Sequence, residues 1–150
     1  MNNENKNIGR FELWGKWTPE LQIAIIPLLE KFERLLPPWC SIAHVEEDHR
    51  DMTAECGVDF EYRRIRLSLG PRFFAGTAPE REMWLIHELM HGTIHHLFNV
   101  AHDIARNLAQ DNEIARTMAL KSLREANEGV TTDMTTLVQQ LLLTTQPKQP

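Results

Sequence analysis

Thr77-Ala78-Pro79-Glu80-Arg81-Glu82-Met83-Trp84-Leu85-Ile86-His87-Glu88-Leu89-Met90-His91 is the stretch on which the fold turns. A threonine followed three residues on by Glu80, with Pro79 in the first turn, is the signature of a capped helix start. Met83, Trp84, Ile86, Leu89, Met90 and Ile94 then recur at helical spacing. Residues four apart share one face of a helix, so His87 and His91 point two imidazoles the same way and can grip one metal ion. Glu88 stands beside the first of them. Such a helix must bury its apolar side, and the remaining chain indicates against what.

Upstream, Thr18-Pro19-Glu20 opens another helix in which Leu21, Ile25, Leu28, Leu29, Phe32, Leu35 and Leu36 recur near the 3.6 period. Pro27 should bend or divide it, and Pro37-Pro38 stops it. From Trp39 to Leu69 the period shifts toward two: Cys40, Ile42 and Val45, then Val58, Phe60 and Tyr62, then Ile65, Leu67 and Leu69. This predicts three strands, the last two antiparallel, with a loop at Glu46 to Asp51 and an end at Gly70-Pro71. Residues 1–12 read as a disordered lead-in and Gln146–Pro150 as a frayed tail. Beyond the motif, Asn99 marks a break, Val100 to Leu108 is helical, and a third helical region runs from Asp111 to Leu143 with Gly129 and two Thr-Thr pairs as weak points. The expectation is one α+β domain over residues 1–150: an N-terminal helix, a small three-stranded, mainly antiparallel sheet, the motif helix and C-terminal helices. An edge strand of such a sheet can hold an extended peptide.

The 150 residues suffice for one core without disulfide staples. A net charge of −5 gives no general attraction to nucleic acid or acidic membranes, and Arg63-Arg64-Arg66 reads as a solvated strand face. Cys40 and Cys56, sixteen apart, lack the spacing of a zinc knuckle or redox pair and read as buried thiols. The polar N-terminus has no signal-peptide core and no run reaches membrane-spanning length, which predicts a cytoplasmic protein that acts away from membranes.

His87-Glu88-Leu89-Met90-His91 has the HExxH pattern of zinc metallopeptidases. A catalytic zinc takes three protein ligands and keeps one position open for water. His87 and His91 supply two ligands, and Glu88 is placed to accept the water's proton and return it to the leaving amine. The metzincin completion fails, because its third histidine would fall at Leu97. His95 shares the face of His91, but three histidines on one straight helix do not surround an ion tetrahedrally. It reads, with His96, as a flanking polar group or substrate contact.

Glu128 is the leading candidate for the third ligand, with Glu125, His102, Asp103 and Glu113 as alternatives. Asn127-Glu128 followed by Asp133 resembles the Asn-Glu...Asp segment of thermolysin-like gluzincins, in which the glutamate binds zinc and the aspartate orients a ligand histidine. In that family the aspartate lies four residues after the glutamate, where Thr132 stands here. Val130, Met134, Leu137 and Leu141 form one apolar stripe, from which Glu128 lies about 160° away at 100° per residue. Either Gly129 interrupts this helix or the metal lies on a face distinct from the stripe. His95, His96 and His102 are the candidates to steady the transition-state oxyanion, while Tyr62, on a predicted strand, reads as a packing residue.

Taken together, the apolar helix ending in Pro37-Pro38-Trp39, the strand through Arg64-Ile65-Arg66-Leu67, the Pro79-Glu80-Arg81 start and the HExxH pentapeptide resemble the small metallopeptidases encoded in bacteriophages and prophages. That resemblance covers most of residues 11 to 143. It implies a compact gluzincin-type, zincin-like domain with one catalytic Zn2+; the motif's chemistry points to a peptide or protein substrate, and the net charge to no nucleic-acid partner. Two other readings stand beside it: a non-catalytic zincin-like binding or regulatory module of a phage or mobile element, and a metal-free helical interaction protein.

Overall fold

A computed structural model of the chain describes residues 6–108 and 112–144. The fold is α+β. By internal contacts the chain divides into two compact units, Met1–Gly92 and Thr93–Pro150.

The first unit is built on a five-stranded mixed sheet of β1 (Lys6–Ile8), β2 (Phe11–Trp14), β3 (Ile42–Glu47), β4 (Ala54–Asp59) and β5 (Arg64–Leu69), in the order β1-β2-β3-β5-β4. The expected antiparallel pairing of the last two strands is present, Cys56 opposite Leu67 and Val58 opposite Ile65. The three-stranded, mainly antiparallel sheet is corrected in two respects. β2–β3 and β3–β5 are parallel, and residues 6–14, most of which were expected to be a disordered lead-in, form a hairpin that adds two strands. Residues 1–5 and the Gln146–Pro150 tail lie outside the described residues.

Long-range capping orders the hairpin. The Arg10 guanidinium donates to four carbonyls, those of Glu33 (3.0 Å), Leu36 (3.2 Å), Pro37 (3.3 Å) and Cys40 (3.2 Å), while the Arg10 backbone N–H donates to the Glu33 carboxylate at 2.9 Å. Gly9 sits at φ 56, and a Cβ there would collide with that carboxylate. The side chain thus satisfies carbonyls that the ending helix leaves open.

Helix α1 (Pro19–Phe32) connects β2 to β3 as a parallel crossover and passes into a 3-10 turn at Glu33–Leu35. Thr18 caps it, its Oγ1 accepting the Leu21 N–H. Pro27 does not divide it. Both Pro27 and Ile23, the residue whose carbonyl loses its partner, lie on the exposed side.

One sheet face is the core: Phe11, Leu13, Ala43, Val45, Ile65 and Leu67 are buried, together with Ile25, Leu29 and Phe32 of α1. Phe73 of the short α2 (Pro71–Ala75) and Leu85, Ile86 and Leu89 of α3 (Ala78–Leu108) complete it. Lys31 of α1 reaches Glu82 of α3 at 2.6 Å. The opposite face carries Glu12, Trp14, His44, Glu46, Arg64 and Arg66, with Trp14 stacked on His44 and each arginine beside a carboxylate, Arg64 near Asp59 and Arg66 near Glu46, both at 3.7 Å. Tyr62 is not on a strand. It lies in the turn before β5, 60% exposed, under the Arg64 guanidinium.

The second unit holds the later part of α3 and α4 (Glu113–Thr144). Neither Asn99 nor Gly129 breaks its helix. The Thr-Thr pairs are also tolerated, because Thr131, Thr135 and Thr136 each donate to the carbonyl four residues back, at 2.7–3.0 Å. Among the described residues no helix is long and apolar enough to cross a membrane.

Candidate metal centre

The motif helix begins as its sequence predicts. Thr77 Oγ1 accepts the Glu80 N–H at 3.4 Å and the Glu80 carboxylate accepts the Thr77 N–H at 2.7 Å. The Thr77 hydroxyl, donating to the Glu80 carboxylate at 2.7 Å, and the Thr77 N–H hold that carboxyl below its ordinary pKa. A fixed start sets the rotation of α3. Leu85, Ile86, Leu89 and Met90 are buried, and His87, Glu88 and His91 fall beside that stripe, half-buried.

The Nε2 atoms of His87 and His91 are 3.1 Å apart, with the rings edge to face. Two nitrogens bound at about 2.0–2.1 Å to one tetrahedral ion stand about 3.3 Å from each other. The pair therefore has nearly the separation of two ligands on a single zinc. Without an ion the same distance suits a hydrogen bond only when one Nε2 is protonated and the other is not. The donor set fits zinc.

Cys56 Sγ lies 3.8 Å from where a Cβ of Gly92 would stand, one turn beyond Glu88 on α3. Burial pushes the Cys56 thiol pKa up, and the Glu88 carboxylate adds to the rise. Cys56 lies on β4, the strand at one edge of the sheet, so the acid of the motif is close to an edge strand. Sequence reading missed this neighbour, although Cys56 precedes Val58 by two and continues the inward alternation of that strand. Both thiols are free. Cys40 is buried, and its pKa is likewise raised by burial.

On α4 the expected apolar stripe is not the buried one. Thr131 and Thr135 are buried, while Val130, Leu137 and Leu141 are about half exposed. Glu128, three residues before Thr131, belongs to the threonine side of the helix, which removes the conflict read from the wheel. Glu128 itself is exposed on that side of α4.

The alternative ligands have neighbours on their own helices. Glu125 faces Lys121 at 3.7 Å, Glu113 pairs with Arg116, and Asp103 lies 3.9 Å from His102. His95 and His102 flank Phe98 on α3, and burial, with help from His96, lowers the His95 pKa. Comparison of the chain with protein-family models, curated proteins and solved structures finds no match. The functional reading therefore rests on the residues themselves.

Proposed function

We propose that this chain is a zinc-dependent metallopeptidase of zincin type, with His87, His91 and Glu128 as zinc ligands and Glu88 as the general base. The observation that carries the reading is the pair of imidazole nitrogens 3.1 Å apart, nearly the separation of two ligands on one zinc, next to an acid at the HExxH position. When bound, zinc lowers the pKa of a coordinated water to about 7 and polarises the scissile carbonyl.

The protein's own groups do the rest. With His87, His91 and Glu128 holding it, the ion would keep a position for water. Glu88 takes the proton from the attacking water and delivers it to the leaving nitrogen, so that the amine departs neutral as the peptide bond breaks. Its half-buried position next to the motif keeps the carboxylate both reachable and partly shielded. Free backbone groups along the edge strand β4 can hold an extended peptide by strand addition, and Cys56 on that strand lies against the motif helix one turn beyond Glu88. The substrate class is accordingly a peptide or an unfolded protein segment.

Metal analysis and a peptide-library assay test the proposal together. The protein purified with zinc present should retain one zinc per chain and cleave members of the library, and a chelator should stop the cleavage. A chain that binds no zinc at stoichiometric level sinks the site. Zinc without cleavage sinks the activity and leaves the non-catalytic module.

A further inference from the structure

In the second unit the apolar and buried sides of the helices do not coincide. Between Thr93 and Thr144, Thr131 and Thr135 are the only buried side chains among the described residues. Leu97, Ile104, Val130, Leu137 and Leu141 are each half or more exposed. Val130, Met134, Leu137 and Leu141 follow one another at intervals of four, three and four, the seam spacing of helices that pair along their length. Leu97, Ala101 and Ile104 repeat the pattern on α3. Helices in proteins owe most of their stability to packing of an apolar face, and among its described residues this unit buries no apolar side chain fully.

We infer that the second unit is a self-association element: α4 of one chain sets Val130, Leu137 and Leu141 against the same residues of a second copy about a two-fold axis. Three observations favour a second copy over other occupants. From Val130 to Thr144 the helix carries a single charged residue, Asp133, so two identical stripes meet with little like-charge repulsion. The same segment has no Lys or Arg, which deprives an acidic lipid surface of its electrostatic attraction and an unlike protein of a charge pattern to recognise. The exposed apolar residues of both helices present on the order of 500 Å², in the upper part of what a monomer shows, and two copies together on the order of 1,000 Å², where specific interfaces begin. Two helices from each copy would supply the core of a four-helix assembly.

Sedimentation equilibrium of the full chain tests this. The expected mass is twice 17.4 kDa, and Leu137→Glu with Leu141→Glu should raise the dimer dissociation constant at least ~100-fold, two buried apolar anchors having been replaced by like charges. Because that variant can also loosen α4, Leu137→Cys gives a second readout: mild oxidation should yield a disulfide-linked dimer in high yield, and Lys121→Cys, off the seam, should not. A wild-type monomer at roughly 100 µM, far above the dissociation constant of an ordinary specific interface, overturns the inference. Equal cross-linking at positions 121 and 137 does the same, as does pelleting with phosphatidylcholine vesicles without self-association.

Discussion

A Cβ placed on Gly92 would stand 2.7 Å from Cδ1 of Ile65, so the helix carrying the HExxH motif lies against β5 closely enough that any larger residue there must displace the Ile65 side chain. Gly92 follows His91 directly. The close approach fixes the motif at the sheet end where Cys56 lies 3.8 Å from the same point. Gly92→Val should destabilise the protein by about 1–3 kcal/mol through overpacking. Ile65→Ala in the same background should recover part of that loss, a non-additivity read from urea unfolding as a double-mutant cycle. Simple additivity of the two changes would show that they do not touch.

Glu88→Gln separates binding from chemistry. The amide keeps the size of the side chain and removes the base, so zinc content should be unchanged while peptide hydrolysis falls by about 10²–10⁴-fold. Retained turnover would remove Glu88 from the mechanism.

The ligands are distinguished by metal titration. His91→Ala and Glu128→Gln should each weaken zinc binding and abolish the rise in melting temperature that saturating zinc gives the wild type. Glu125→Gln, which changes a carboxylate already beside Lys121, should titrate like the wild type. If Glu125→Gln lowers affinity and Glu128→Gln does not, the third ligand is Glu125.

How far the sequence was legible follows from the range of the interactions involved. The motif helix, its Thr77–Glu80 box, α1 and the β4–β5 pairing all depend on contacts within a dozen residues or so, and periodicity and capping patterns expose those. β1 and β2 depend on Arg10 reaching carbonyls more than twenty residues away, which no local pattern records. On α4 the seam of Val130, Met134, Leu137 and Leu141 was visible, but the buried side was not. Threonine hydroxyls bonded to their own helix satisfy their polarity internally and can be buried in place of leucine. Glu128 was singled out from a resemblance and from carboxylate chemistry, not from that face.

The outer sheet face has a pH dependence of its own. His44 lies under Trp14, 3.2 Å from Glu12, and burial holds its pKa below the ordinary value, with Arg64 adding to the drop and Glu12 and Glu46 opposing it. The folded state thus favours the neutral ring. Its contribution is fully present above the unfolded value of about 6.5 and is lost as pH falls through the lower folded value. Melting temperature should decline over that acid-side window, and His44→Gln should flatten the decline. A profile unaltered by the substitution would assign the pH dependence elsewhere.

Arg10→Ala removes four charge-assisted hydrogen bonds to helix-end carbonyls. The expected loss is about 2–3 kcal/mol, with amide exchange quickening first in β1 and β2. Arg10→Lys should not restore it, since an ammonium cannot span those acceptors as a planar fork does. Full rescue by lysine would reduce the interaction to charge alone.

The strand order has a consequence during synthesis. β5 pairs with both β3 and β4 yet is the last strand made, so a growing chain holds two strands without their shared neighbour until Leu69 has emerged. Before then β3 and β4 each present open backbone to anything nearby. The β3–β5 and β4–β5 pairings, and with them the sheet face against which the motif helix packs, can form only once β5 has been made.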